Sequence, residues 1–422
     1  MLVSLPLAAY LLLFLSFHTA DTGWRAAAIH AATVWGVMVV CITELLSLAH
    51  WLTRAGLSVT WLIIDIAALA YLWYEIRHRI RRNNVPEFWT ARCQPALRLG
   101  KAHIGLLTGT GIVIALVGVV ALLSPPNTWD AMEYHMPRVV YWLQNRSVAF
   151  YPTHELKQLH MPPWAEFTRV HVHGLLGNDG FDNLVQWVSL LGSVIGVMLV
   201  ARSLGASYRG QVLAAVICAT IPQGILQASG SKNDYAAAFW LVALSFYLLA
   251  FKRAPTLANA YGTGGALGLA WLTKGTAYVV SLPLLVTWLL IWPRKGQLTF
   301  LTHLPLALLL AAGLNAGHFM RNYRLYSSPL GPGAEGPPTG FKYTNDALTL
   351  SLLISNVIKN MALHLGTRSR AINTAQERWV EAVVRAFGED VNNPRTTCVF
   401  VNRKGDHLIT EKGASFPLSP DL

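Results

Sequence analysis

Ten apolar runs divide the first three-quarters of the chain, at about residues 2–17, 25–48, 57–75, 104–123, 184–201, 211–228, 236–251, 258–273, 276–292 and 299–317. A hydrocarbon core of about 30 Å takes about 20 helical residues to cross, and a helix in lipid satisfies its own backbone. The pattern therefore predicts an all-α integral membrane protein with about ten transmembrane helices. Several are short, since a 16-residue run reaches only about 24 Å at 1.5 Å per residue. The first run lacks a basic leader and is followed by more, so it reads as a first span and not as a signal peptide.

The longest polar interruption is Asn127 to Glu166, NTWDAMEYHMPRVVYWLQNRSVAFYPTHELKQLHMPPWAE. It opens with Asp130 and Glu133, a few residues beyond a membrane-length run, where carboxylates are costly unless water, a partner or a task holds them. Four segments follow from this pattern. Residues 1–123 are N-terminal helices with a basic loop at 76–103, and 124–184 form an outer loop carrying interfacial helices. Residues 185–317 are the transmembrane core. Residues 318–422 hold a Pro/Gly-rich loop (LGPGAEGPP), an interfacial helix at 346–365 and a polar, mixed-charge tail.

Composition and charge orient this plan. The chain is 53% hydrophobic and 13% charged, against about a quarter charged in soluble domains. The net charge of +12 falls mostly in short loops, as in membrane topology signals, and no basic stripe faces an aqueous domain, which argues against nucleic acid. Arg77, Arg79, Arg81, Arg82, Arg92, Arg98 and Lys101 mark the 76–103 loop as cytoplasmic. Arg202 and Arg209, Lys252 and Arg253, and Arg294 and Lys295 fall on the same side by parity. The Asp130 loop is then outside the cytoplasm. Basic pairs at both ends of residues 254–292 require a reversal between them, and Thr273-Lys274-Gly275 is the available turn. Cys41, Cys93, Cys218 and Cys398 show no metal spacing.

Candidate chemistry gathers on the outer side. Asp130 and Glu133 are three apart and would share a helical face, either as a base or cation site or as a solvated helix start favoured by the helix dipole. Asp234, in Gly230-Ser231-Lys232-Asn233-Asp234-Tyr235, is either a capping residue or a second carboxylate near Asp130. Lys232, Lys274 and Arg321 reach the same face by topology. Together they would suit a phosphate-bearing substrate; singly, each reads as a snorkelling side chain. His135, His154, His160, His171 and His173 leave a divalent metal open, without a tight ligand signature. Pro162-Pro163 forces an extended turn before Glu166.

The order of WDAMEYHMPRVVYWLQ, YPTHELKQLHMPPWAE, ASGSKNDYAAAFW, GLAWLTKGTAY and HFMRNYRLYSSPLGP, over roughly 125–335, resembles membrane glycosyltransferases of the C-type superfamily. The nearest likeness is to bacterial protein-mannosyltransferase-related enzymes, which include aminoarabinose transferases. The resemblance implies a polyprenyl-phosphate-linked sugar donor, a lipid, glycan or protein acceptor, and inverting transfer at the outer face of the inner (plasma) membrane. It assigns Asp130 as catalytic base, Asp234 as second catalytic acid, and Lys232, Lys274 and Arg321 to the donor phosphate. Glu133 and His135 go with substrate binding, and no cofactor beyond a divalent metal is implied. Such relatives continue with more spans or an outer domain. GEDVNNPRTTCVF resembles the start of that continuation, but the chain stops at Leu422, as expected of a truncated member.

Two other readings compete. A flippase or carrier of lipid-linked sugar would place ionisable groups mid-span and show matched broken helices; here the acids cluster in outer loops. An inactive scaffold would follow from truncation.

Overall fold

The structure is a computed structural model that describes residues 2–19, 22–81, 100–290, 297–332, 349–362, 365–391, 401–404 and 407–410. The chain forms two units, Met1–Gly331 and Pro332–Leu422. In the first unit each apolar run is helical over most of its described residues. Before the outer loop come α1 (Ser4–Phe17), α2 (Gly23–Leu48), α3 (Arg54–Arg81) and α4 (Lys101–Leu123). The loop carries α5 (Met136–Asn145), α6 (Lys157–His160) and α7 (Trp164–Leu176). After it come α8 (Leu184–Ser203), α9 (Tyr208–Thr220), α10 (Pro222–Gln227), α11 (Asp234–Arg253), α12 (Leu257–Thr273), α13 (Thr276–Leu290) and α14 (Gln297–Tyr326).

Six of these, among the described residues, are long and apolar enough to cross a membrane: α2, α4, α8 and α11, with Arg54–His78 of α3 and Thr302–Tyr326 of α14. The other four expected spans are shorter, at 14 residues in α1, 13 in α9, 17 in α12 and 15 in α13. The sixth run is interrupted because Ile221, held extended (ψ 117°) ahead of Pro222, ends α9; the residue before a proline disfavours helix. The reversal at Thr273-Lys274-Gly275 separates α12 from α13.

Hydrogen bonds define the two ends of the bundle. At one end Arg25 Nη1 donates to Gln211 Oε1 (2.9 Å), and Arg253 donates to the Ser203 carbonyl. At the other end Asn183 Nδ2 donates to the Ser124 carbonyl (2.8 Å) and Asn233 Nδ2 to the Thr273 carbonyl (2.8 Å). Arg202, Arg209 and Lys252 thus share the first end, and Asp130, Lys232, Asp234 and Lys274 the second. Arg82, Arg92, Arg98, Arg294 and Lys295 lie outside the described residues, as do 333–338 of the Pro/Gly loop and 392–400.

The core is built by close helix approach. Gly264 and Gly268 on α12 face Ala307 and Ala311 on α14, where an added Cβ at Gly268 would stand 2.8 Å from the Ala311 Cα. Small residues at such spacing let backbones meet in lipid, where the hydrophobic effect cannot drive helices together. The outer loop is only partly interfacial. α5 is amphipathic, burying Met136, Val139 and Trp142, but α7 sinks into the bundle along most of its length. Trp164 Nε1 donates to the Gly36 carbonyl (3.2 Å) and its ring meets Trp240 edge-on at 4.9 Å. His171 joins Thr43 of α2 (2.9 Å) and Trp61 of α3 (2.8 Å).

In the second unit, α15 (Leu350–Ala362) and α16 (Arg370–Ala386) meet through Ala362, Val380, Val384 and Val391. The supposed polar tail therefore contains an amphipathic helix, whose Val380 and Val384, four apart, share one face. A short antiparallel hairpin, β1 (Val401–Lys404) with β2 (His407–Thr410), pairs Val401 with Thr410.

Candidate active site

Immediately after Asp130 the backbone forms a π-helical turn, Ala131–His135, with the Met136 N–H donating to the Ala131 carbonyl. The i→i+5 hydrogen bond widens this turn relative to an α-helix. Asp130 and Glu133 accordingly serve different partners. Asp130 Oδ2 lies 3.1 Å from Lys232 Nζ, while Glu133 Oε2 lies 2.9 Å from Lys157 Nζ on α6. The shared acidic face expected from their spacing is not formed.

Asp130 and Asp234 both act electrostatically on one residue, Tyr134. Tyr134, in the π turn, has its hydroxyl pushed above the usual phenol range, first by burial and then by the charges of Asp130, Glu166 and Asp234. Asp234 itself, at the start of α11, is ion-paired with Lys274 in the α12–α13 turn. The acids of two acid–lysine pairs thus bear on one phenol, and both pairs are partly exposed. A pair of that exposure contributes about 1 kcal/mol or less, so a charged ligand can open either one.

The loop carrying Lys232 and Asp234 is held from below by polar groups. Arg169 on α7 donates to the Lys232 carbonyl, and Ser231 donates to Asn183 Oδ1. Gln186 on α8 accepts from the Ala236 N–H (3.1 Å), and Asn233 ties the loop to Thr273. Each of these satisfies a backbone or side-chain group that would otherwise be costly to bury.

Behind the acids lies a buried ionic set that sequence reasoning missed. Glu166 is fully buried, and so are His135, Arg138 and Arg169. His135 Nδ1 is hydrogen-bonded to Glu166, and Arg138 Nη1 lies 3.7 Å from the same carboxylate. Burial pushes the Glu166 carboxyl up; the His135 ring, then Arg138 and Arg169, outweigh it and hold the carboxyl at about 2. Burial likewise keeps His135 low, so its neutral ring donates Nδ1–H to an ionised Glu166. Arg138 also donates to the Leu159 (2.9 Å) and Met161 (2.6 Å) carbonyls, fixing the turn before Pro162. His135 thus sits in the supporting layer beneath the acids. The one signal available was the Glu166–Arg169 spacing, three apart on one face of α7.

Arg321 is placed elsewhere on the same end. Its guanidinium makes a two-pronged pair with Glu44 of α2 (2.7 and 2.8 Å). Glu44 carried no signal in the sequence, because it sits alone near the end of an apolar run. His173 pairs with Asp182 (3.0 Å). Among the described residues, no three His, Cys, Asp or Glu side chains gather as a metal set.

Residues 160–316 match the family model of dolichyl-phosphate-mannose-protein mannosyltransferases. The match supports a C-type glycosyltransferase-like family. No curated protein and no solved structure matches the chain. Within this glycosyltransferase-like chain the matched segment includes Glu166, Arg169, Lys232, Asp234 and Lys274. Asp130 precedes it and Arg321 follows it, but the ion pair to Lys232 carries Asp130 to the matched segment.

Proposed function

We propose that the chain transfers a sugar from a polyprenyl-phosphate donor to an acceptor hydroxyl at the outer face of the plasma membrane. The reading rests on the two acid–lysine pairs, Asp130–Lys232 and Asp234–Lys274, around Tyr134. Donor phosphate entering between them competes for the lysines and frees the carboxylates. Asp130 then takes the acceptor hydroxyl proton as the new bond forms at the anomeric carbon. The bond from that carbon to the phosphate oxygen breaks, and the oxygen leaves with the electron pair. Lys232 and Lys274 meet the charge that develops on it. One displacement of this kind inverts the anomeric centre. Asp234 holds Lys274 in place and orients the sugar; Glu133, paired with Lys157, and buried His135 support the π turn.

The outer orientation is supported by the concentration of Arg and Lys at the opposite end of the bundle. The test is transfer in sealed vesicles from a labelled lipid-phosphate sugar. Asp130→Asn is expected to lower the rate by about 10²–10⁴-fold, the usual contribution of a positioned base, with the protein still inserted. Undiminished transfer in that variant overturns the assignment.

A further inference from the structure

Between the outer halves of α2 and α14, bounded by residues 147–150, lies an open groove of about 970 Å³. That is the upper end of the range for small-molecule sites. Its walls are apolar, with Val37 and Val40 from α2 facing Leu310 and Leu314 from α14. Its mouth is charged, with Glu44 and His50 on one side and Arg321 and Arg324 on the other. Neither Asp130, Lys232, Asp234 nor Lys274 lines it. α2 also lies wholly outside the residues matched to the family model.

The mouth is built with some specificity. The Glu44 carboxylate lies directly against α14 at Gly317, where an added Cβ would stand 2.6–2.8 Å from three of its atoms. Gly317 stands one helical turn before Arg321, whose guanidinium Glu44 binds through both oxygens. Arg324 has no ion pair or hydrogen bond among the described residues. The mouth thus holds two guanidiniums and one carboxylate, with the carboxylate occupying the position on Arg321 that a phosphate offering two oxygens would take.

We propose that this groove binds a membrane lipid with an anionic headgroup, its chain along the Val37–Leu310 walls and its headgroup exchanging with Glu44 on Arg321. The charge surplus and the apolar walls at membrane depth together select this occupant over a free anion or a neutral lipid. The site stands whether or not the transferase reading holds, because it is read by binding alone.

The experiment uses the full chain in nonionic detergent and a fluorescent-tailed phosphatidylglycerol, with the matching phosphatidylcholine and inorganic phosphate as competitors. Wild-type protein is expected to prefer the anionic lipid by about tenfold, equivalent to about 1.4 kcal/mol. Glu44→Gln removes the internal competitor and tightens binding several-fold. Arg324→Gln, at an exposed position that the fold does not need, loses most of the headgroup preference. Gly313 lines the groove and an added Cβ there meets nothing within 4 Å, so Gly313→Phe fills the groove and abolishes binding of both lipids. Equal affinity for the two headgroups, unchanged binding in Gly313→Phe, or displacement by inorganic phosphate at equal concentration each overturns the proposal.

Discussion

Asp130 Oδ2 stands 3.1 Å from Lys232 Nζ, and the carbonyl of that same lysine accepts from the fully buried guanidinium of Arg169. The exposed pair is therefore positioned by a residue that never reaches the surface. Two loops distant in sequence, after α4 and before α11, are joined by this contact chain and by Asn183, which bonds both Ser124 and Ser231.

Lys232→Met should lower sugar transfer by about 10²-fold, the typical loss on removing one charge-stabilising group, with inserted protein unchanged. Lys232→Arg keeps the charge and should recover part of the rate. Arg169→Lys keeps a buried cation but removes the planar fork, so transfer should fall while folding is largely retained. Rates from labelled donor in vesicles, normalised to inserted protein, check all three.

Glu166 makes acid sensitivity predictable in sign. Its folded pKa, about 2, lies below its ordinary value of 4.5. A depressed carboxyl contributes stability above pH 4.5, which is lost as pH falls toward 2, and two to three units correspond to about 3 kcal/mol. Glu166→Gln should unfold more easily at pH 7, because it leaves Arg138 without its buried partner; breaking such a pair costs about 3–5 kcal/mol. Its stability should also decline less steeply below pH 4.5. Thermal unfolding in detergent across pH 5 to 2 reads both, and parallel curves for the two proteins would contradict the assignment.

Gly268→Leu should separate α12 from α14, since a side chain there meets Ala311 and Leu314. Overpacking of this kind costs about 1–3 kcal/mol. Gly313→Ala, on the open side of α14, should be neutral. A comparison of thermal midpoints distinguishes the two.

The helices were legible because lipid allows few alternatives: a run of about 20 apolar residues must satisfy its backbone internally. The turn at Lys274 was legible for the same reason, as the length between two basic ends demanded it. α7 was misread. Glu166, Arg169, His171 and His173 look like a surface helix when their partners are unknown, yet their charges and hydrogen bonds are answered inside the bundle. The face shared by Asp130 and Glu133 failed because spacing assumes α-helical periodicity, and the backbone there is a π turn.

By itself the sequence determined the all-helical membrane character of the chain and the places of its apolar runs. Local chemistry suffices for that, since hydropathy and charge act residue by residue. Only tertiary structure decided which charge answers which. Asp130 goes to Lys232, Asp234 to Lys274, Arg321 to Glu44, and Glu166 to His135 and Arg138. An ion pair depends on a few ångströms between residues that stand 40 to 277 positions apart in three of these cases, and no pattern along the chain encodes that distance.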